Sequence, residues 1–240
     1  MCVQFIIVGE FVMTWERKHI ILVGKSLIVG IFAALSAVAY RAVLGKSEGV
    51  CHALFGFADT PLRIALLADL HNAKDHFATC VEHIEKARPD LIILGGDFIM
   101  VDDRFMRTRW AVEGLRQLRS IAPTYAILGN QDYENLDSVQ RIFATAGVPL
   151  LRNQAVDWVT PSGSTLRIIG LGDWNEGDEA PAACMQPSGQ EPAPVLLLSH
   201  DPESRWLLRR YDWDLMLSGH THGGQAANPF TGDFISFRSS

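Results

Sequence analysis

Four cysteines, Cys2, Cys51, Cys80 and Cys184, are scattered over 240 residues, and no two of them form a C-x-x-C pair or the spacing of a disulfide framework. That excludes a thiolate zinc knot and a stapled mini-domain as organising principles, and it leaves the compartment open. Basic runs are lacking as well. With 21 Lys+Arg against 27 Asp+Glu, a net charge of -6 and a pI near 5.7, no lysine or arginine block is present to track a phosphate backbone. The balance argues against nucleic acid as a partner. Internal repeats are absent too. Only Asn175 to Pro194, rich in Gly, Pro, Ala and acidic residues, lacks periodicity, and it reads as a long loop, either functional or disordered.

Long apolar runs are scarce, with one exception. Ile20 to Tyr40 carries Lys25 as its only charge and has the length of a bilayer-crossing helix. A membrane anchor is one reading. Arg17, Lys18 and Lys25 before Leu27 to Leu35, with Ala37-Val38-Ala39 behind, also fit a cleaved export signal. Either way the weak positive-inside bias predicts a cytoplasmic N-terminus and an exported domain. The expected organisation is an anchor or signal over 1–45, a linker over 46–61 and a catalytic domain over 62–240.

From Leu62 the chain alternates. Leu62 to Ala68, Leu91 to Leu94 and Tyr125 to Leu128 read as buried strands. Between and after them, Phe77, Cys80, Val81 and Ile84, then Ala111, Leu115 and Leu118, then Leu136, Val139, Ile142 and Phe143 stripe three helices. Strands alternating with helices predict a mainly parallel sheet. Farther on, Val148 to Leu151, Val156 to Val159 and Leu166 to Leu171 read as short antiparallel strands. Val195 to Leu198 and Leu215 to Leu217 resume the buried pattern, with a short Trp206-Leu207-Leu208 helix between them. The fold class is therefore α/β, with two packed mixed β-sheets flanked by helices.

Five short blocks directly follow apolar runs of strand length: Asp69-Leu70-His71, Gly96-Asp97, Gly129-Asn130, Ser199-His200 and Gly219-His220-Thr221-His222-Gly223-Gly224-Gln225. Strand ends of one sheet edge would gather these carboxylates, imidazoles and one amide into a binuclear metal centre. A pair of hydrolytic metals needs a bridging carboxylate, with imidazoles and amide oxygens filling the other positions. Asp97 is the natural bridge. His19, His52, His76 and His83 stand outside any block and read as solvated or core residues. Asp201 and Asp103 read as helix caps, Asp173 as a turn residue and Asp90 as a solvated strand start.

With these blocks in order, the chain resembles the calcineurin-like metallophosphoesterases over Leu62 to about Gln225. The resemblance implies an αββα sandwich and two divalent metal ions drawn from manganese, iron, zinc, cobalt or nickel (Mn, Fe, Zn, Co or Ni). It puts Asp69, His71 and His222 on the first ion, Asp97 between them, and Asn130, His200 and His220 on the second. It further implies hydrolysis of a phosphodiester or diphosphate bond by a hydroxide shared between the ions. The double-histidine block is closest to bacterial phosphodiesterases that carry an N-terminal membrane or export segment, which implies an inner-membrane or exported enzyme.

Two departures stand out. The family's Gly-Asn-His-Asp block is here Gly129-Asn130-Gln131-Asp132, and an amide cannot protonate a leaving oxygen. Gln131 is expected to orient the phosphoryl group and Asp132 to hold its loop. A leaving phosphate with a pKa of about 6 needs no such acid, and the similar UDP-2,3-diacylglucosamine hydrolases also lack the histidine while cutting a diphosphate bond. The expected partners are thus a phosphorylated small molecule or a lipid-linked diphosphate, with the membrane met through the N-terminal segment. Secondly, few residues follow Gln225 where the family usually adds strands, so open strand edges are expected.

Overall fold

A computed structural model describes residues 5–11, 20–23, 62–98, 108–187, 189 and 191–221, the first two stretches by their backbone alone. Its centre is a parallel run of β3 (Leu62–Ala68), β4 (Leu91–Leu94) and β5 (Thr124–Ala126), with Ile64 beside Leu91 and Ile92 beside Thr124. These strands are nearly all apolar because both their faces are covered. Ala65, Leu67, Ile92 and Leu94 point to one side, where α1 (Lys74–Ala87), α2 (Arg109–Ile121) and α4 (Leu136–Ala146) bury Phe77, Ile84, Leu115, Leu118 and Phe143 against them. The alternate residues Ile64, Leu66, Leu91 and Ile93 point the other way.

There they meet a second sheet. It holds β6 (Gln154–Val159), β7 (Thr165–Gly170), β8 (Val195–Leu198) and β9 (Leu215–Ser218), and its Leu166, Ile168, Leu196, Leu198, Leu215 and Leu217 complete the core between the sheets. The pair β6–β7 is antiparallel and β7–β8–β9 are parallel, so the strand order is mixed as expected. The outer face of this sheet, Ile169, Val195, Leu197 and Met216, is covered by Leu208, Tyr211, Trp213 and Met185 from turns and loops.

Several local expectations change. Around Val148 to Leu151 the described backbone makes a parallel bridge of Leu150 to Ala126, with Ala126 N–H donating to Pro149 O and Leu151 N–H to Ala126 O, in place of an antiparallel strand. The helix expected at Trp206 is two 3-10 turns, Pro202–Trp206 and Leu208–Arg210, the first capped by the Asp201 side chain. Asp90 is not simply solvated: its Oδ2 accepts from the Arg63 amide at 2.8 Å, which pins the start of β3. Asn175 to Pro194 is an ordered loop in its described residues, held by Asp178 and by a bridge of Pro187 to Tyr211.

Two further strands flank the sheets. β1 (Phe5–Phe11) pairs antiparallel with β3, and β2 (Ile20–Val23) pairs parallel with β9, so both β3 and β9 are covered at those edges. Ile20–Val23, the opening of the apolar run, is thus a strand here, while residues 24–61 and 222–240 lie outside the described residues. Among the described residues no helix is long and apolar enough to cross a membrane.

The helical layer has one tight contact that a substitution can test. A β-carbon at Gly114 of α2 would collide with the Phe77 ring. That ring cannot yield, being wedged edge-on against Phe98 at 5.5 Å and Trp110 at 5.9 Å between centroids. Gly114→Ala gains up to about 1 kcal/mol of helix propensity and overpacks by about 1–3 kcal/mol. Urea unfolding should show a net loss, and Phe77→Leu in the same chain should recover part of it.

Candidate metal centre

The backbone at the strand ends is strained in a consistent way. Asp69 (φ 57°), His71 (φ 46°), Asn72 (φ 62°), Asp97 (φ 53°) and His220 (φ 65°) all occupy the left-handed region. Each such residue costs on the order of 1–3 kcal/mol and persists only where its surroundings over-determine it. The surroundings are a lacing of amides between loops. Asp69 N–H donates to Gly96 O at 3.0 Å, His71 N–H to Asp97 O at 3.0 Å, and Gly219 N–H to His200 O at 3.1 Å. The loops after β3 and β4 thereby turn their side chains toward the same point as the loops after β8 and β9.

Asp97 is that point. Its Oδ2 lies 3.6 Å from His71 Nε2 and 3.3 Å from His200 Nε2, and its Oδ1 accepts from the Gln131 amide at 2.9 Å. His200 is fully buried, with Nδ1 2.7 Å from Gly95 O. A carbonyl only accepts, so Nδ1 carries the proton and the Nε2 lone pair of a neutral ring faces a carboxylate. Two acceptors cannot face each other in a buried site without a cation between them. Burial opposes a charge on His200, yet Asp97 and Asp69 raise its pKa well above the usual histidine value. Despite burial, His200 and His71 hold Asp97 down at about 2. A proton fills the gap in the metal-free protein, and a metal ion fits the same place.

The rest of the donor set supports that fit. Asp69–His71–Asp97 and Asp97–His200–His220 are two groups whose ligand atoms lie within 4.8 Å of one another, and they share Asp97. Carboxylate and imidazole donors of this kind suit a divalent transition metal. Asp69 Oδ1 accepts from the His220 amide at 3.0 Å, and His220 Nδ1 lies 3.1 Å from Asn130 Oδ1. The glycines are required by space. At Gly96 (φ 94°) a β-carbon would sit 2.6 Å from His200 Nδ1, and at Gly129 it would strike Asp97 Oδ1. The structure therefore brings together Asp69, His71, Asp97, Asn130, His200 and His220. His222 lies outside the described residues.

Gln131 and Asp132 open the one-turn helix α3 (Asn130–Tyr133). Asp132 is fully buried. Its Oδ2 accepts from the Gly129 amide at 3.0 Å while its own amide donates to Gly129 O at 3.0 Å, so its carboxylate closes the loop. The next residue is one that the sequence reading missed. Tyr133 donates to Asp178 Oδ2 at 2.6 Å, Arg152 grips the same carboxylate with Nε at 2.6 Å and Nη2 at 2.8 Å, and the Asp173 amide donates to the Tyr133 oxygen at 3.1 Å. This network ties α3 to the 172–180 loop. Its only signal in the sequence was the tyrosine adjoining the Gly-Asn block. Asp173 behaves as a turn residue, its Oδ1 accepting from Asn175 N at 2.9 Å and Glu176 N at 3.2 Å. Asp201 caps the following 3-10 turn through Glu203 N at 2.8 Å.

Residues 62–224 match the calcineurin-like phosphoesterase family. Phosphodiesterase YaeI of Escherichia coli (strain K12) is 34% identical over 203 residues, covering 79% of this chain and 72% of its own. The uncharacterized metallophosphoesterase YkuE of Bacillus subtilis (strain 168) is 28% identical over 192 residues, 79% of this chain and 66% of its own. A transmembrane protein with metallophosphoesterase domain from Danio rerio is 28% identical over 187 residues, 68% of this chain and 41% of its own. The chain thus spans less than two thirds of the length of the latter two. It belongs to the calcineurin-like phosphoesterase family. It is a metal-dependent phosphohydrolase with the two-sheet fold described above.

Burial pushes the Asp69 carboxyl up to about 7, with Asp97 and Asp132 adding to the rise against the pull of His200. In the metal-free protein Asp69 and His200 therefore both hold protons below neutrality, and a cation must displace them. Uptake of manganese or zinc should release protons, and affinity should fall as pH drops through about 7. Titration calorimetry in buffers of different ionisation enthalpy measures both. An affinity flat between about pH 6 and 8 would contradict this site.

Proposed function

We propose that the chain hydrolyses a phosphodiester or diphosphate bond at two divalent ions, with Asp97 shared between them. Asp69, His71 and His222 would hold one ion and Asn130, His200 and His220 the other. The observation that carries this reading is the position of Asp97 Oδ2 between His71 Nε2 and His200 Nε2. Bound there, a metal pair would polarise the phosphoryl oxygens and lower the pKa of a water enough for it to serve as the nucleophile near neutral pH.

The protein's part is orientation and proton control. His200, donating from Nδ1 to Gly95 O, keeps its Nε2 lone pair on the cation side. Gln131, whose amide is fixed on Asp97, carries a side chain able to hydrogen-bond a phosphoryl oxygen. It cannot give up a proton, so the site favours leaving groups that depart as stable anions, of which a phosphate is the biological example. A phosphorylated small molecule or a lipid-linked diphosphate meets that condition. The phosphodiesterase name of the Escherichia coli relative and the transmembrane name of the Danio rerio one support, respectively, the reaction and a membrane setting.

Asp97→Asn should abolish hydrolysis of an activated aryl phosphodiester by the metal-replete protein; retained turnover would exclude Asp97 as the shared ligand. Gln131→His should raise activity toward alkyl phosphate esters relative to diphosphates by at least about 10²-fold, the low end of a general-acid contribution. An unchanged ratio in the substrate panel would remove the leaving-group argument while leaving the metal centre in place.

A further inference from the structure

Between the parallel strands β8 and β9 the chain has to return from the end of one to the start of the other, and it does so over the outer face of the second sheet. The path begins one residue after His200, at the sheet edge that carries the metal ligands, and uses the two 3-10 turns Pro202–Trp206 and Leu208–Arg210. Ser204, Leu208 and Tyr211 face inward, the last two joining the cluster with Ile169, Leu197 and Met216. The residues between them face out. Trp206 is 53% exposed and Leu207 46%, and Arg209 and Arg210 are exposed beside them.

The charges are arranged around the exposed ring. The Arg209 guanidinium lies 4.0 Å and that of Arg205 4.8 Å from the Trp206 ring centroid, and Arg210 lies 5.3 Å from that of Tyr211. Three cations within six positions stand out in a chain of net charge -6. Glu203 is the exposed acid adjoining them, and among the described residues none of the three arginines is in an ion pair. A buried inner row, an outward tryptophan and leucine, and unpaired guanidiniums at their flanks are the pattern of a segment that lies at a lipid–water boundary. Indole sits at headgroup level, and arginine stems cover apolar surface while their heads reach phosphate oxygens.

We propose that residues 205–210 form a membrane-contact surface. Trp206 and Leu207 enter the headgroup layer of an anionic phospholipid bilayer, and Arg205, Arg209 and Arg210 take its phosphates. Lipid phosphates supply the negative charge that this cationic turn lacks in its own chain. The surface is separate from residues 1–45 and does not rest on the reaction at the metal centre, so no turnover is needed to test it.

The test uses the full chain with mixed phosphatidylcholine–phosphatidylglycerol vesicles containing brominated lipid. The readout is the difference in tryptophan quenching between the unaltered protein and Trp206→Phe, which isolates Trp206 whatever other segments do on the bilayer. The Trp206 component should be quenched in anionic vesicles and not in phosphatidylcholine alone. Arg205→Gln with Arg209→Gln should raise the half-saturating lipid concentration by roughly 10- to 30-fold, and added salt should act in the same direction. An unquenched Trp206 component, or equal quenching in both lipids that the arginine changes leave alone, would overturn the proposal. A Trp206 signal that shifts with protein concentration in the absence of lipid would assign the face to a second copy and overturn it as well.

Discussion

The carboxylate of Asp97, facing imidazole nitrogens from two directions, is the constraint around which the site is arranged. It sits on a left-handed residue between Gly96 and Phe98, where one oxygen holds the Gln131 amide and the other faces His71 and His200. An anion in that position is tolerable in a buried site only because positive charge meets it. The glycines follow from the same demand. Gly129 and Gly96 are as small as they are because Asp97 and His200 occupy the space a β-carbon would need. The apolar strands beneath provide the rigid edge that keeps the strained loops from relaxing.

Much of this was legible in the chain because the signals were local. The buried strands β3, β4, β8 and β9 are short apolar runs, and the helix stripes Phe77-Cys80-Ile84 and Ala111-Leu115-Leu118 are all buried where the spacing put them. The ligand blocks were readable because each follows a strand immediately, so that topology alone collects them. What escaped was non-local. Arg152, Asp178 and Tyr133 are far apart in sequence and carry no common motif, and only folding shows that one carboxylate serves both partners. The aperiodic loop hid its order for the same reason, since it is fixed by Asp178 and not by any repeat. The pairing of Ile20–Val23 with β9 was not legible either, because that strand opens an apolar run that reads equally as a helix.

The departures in the Gly129-Asn130-Gln131-Asp132 block fall into two kinds. Asp132 keeps a structural duty, as its carboxylate is used up on the Gly129 amide and the short helix depends on it. Gln131 contributes its amide to Asp97, a role any residue but proline can fill. The side chain at that position is thus free to vary while the backbone contact stays fixed.

The candidate ligands are divided between two sheets that pack on each other through oily side chains. Asp69, His71, Asp97 and Asn130 follow strands of one sheet, and His200 and His220 follow strands of the other. Leu66, Ile93, Leu198 and Leu217, which fill the gap between the sheets, therefore act as spacers between the two halves of the candidate site. A methyl group lost in that filling, far from any reacting atom, would let one jaw slide against the other, so this enzyme's chemistry is gauged by the thickness of its own interior.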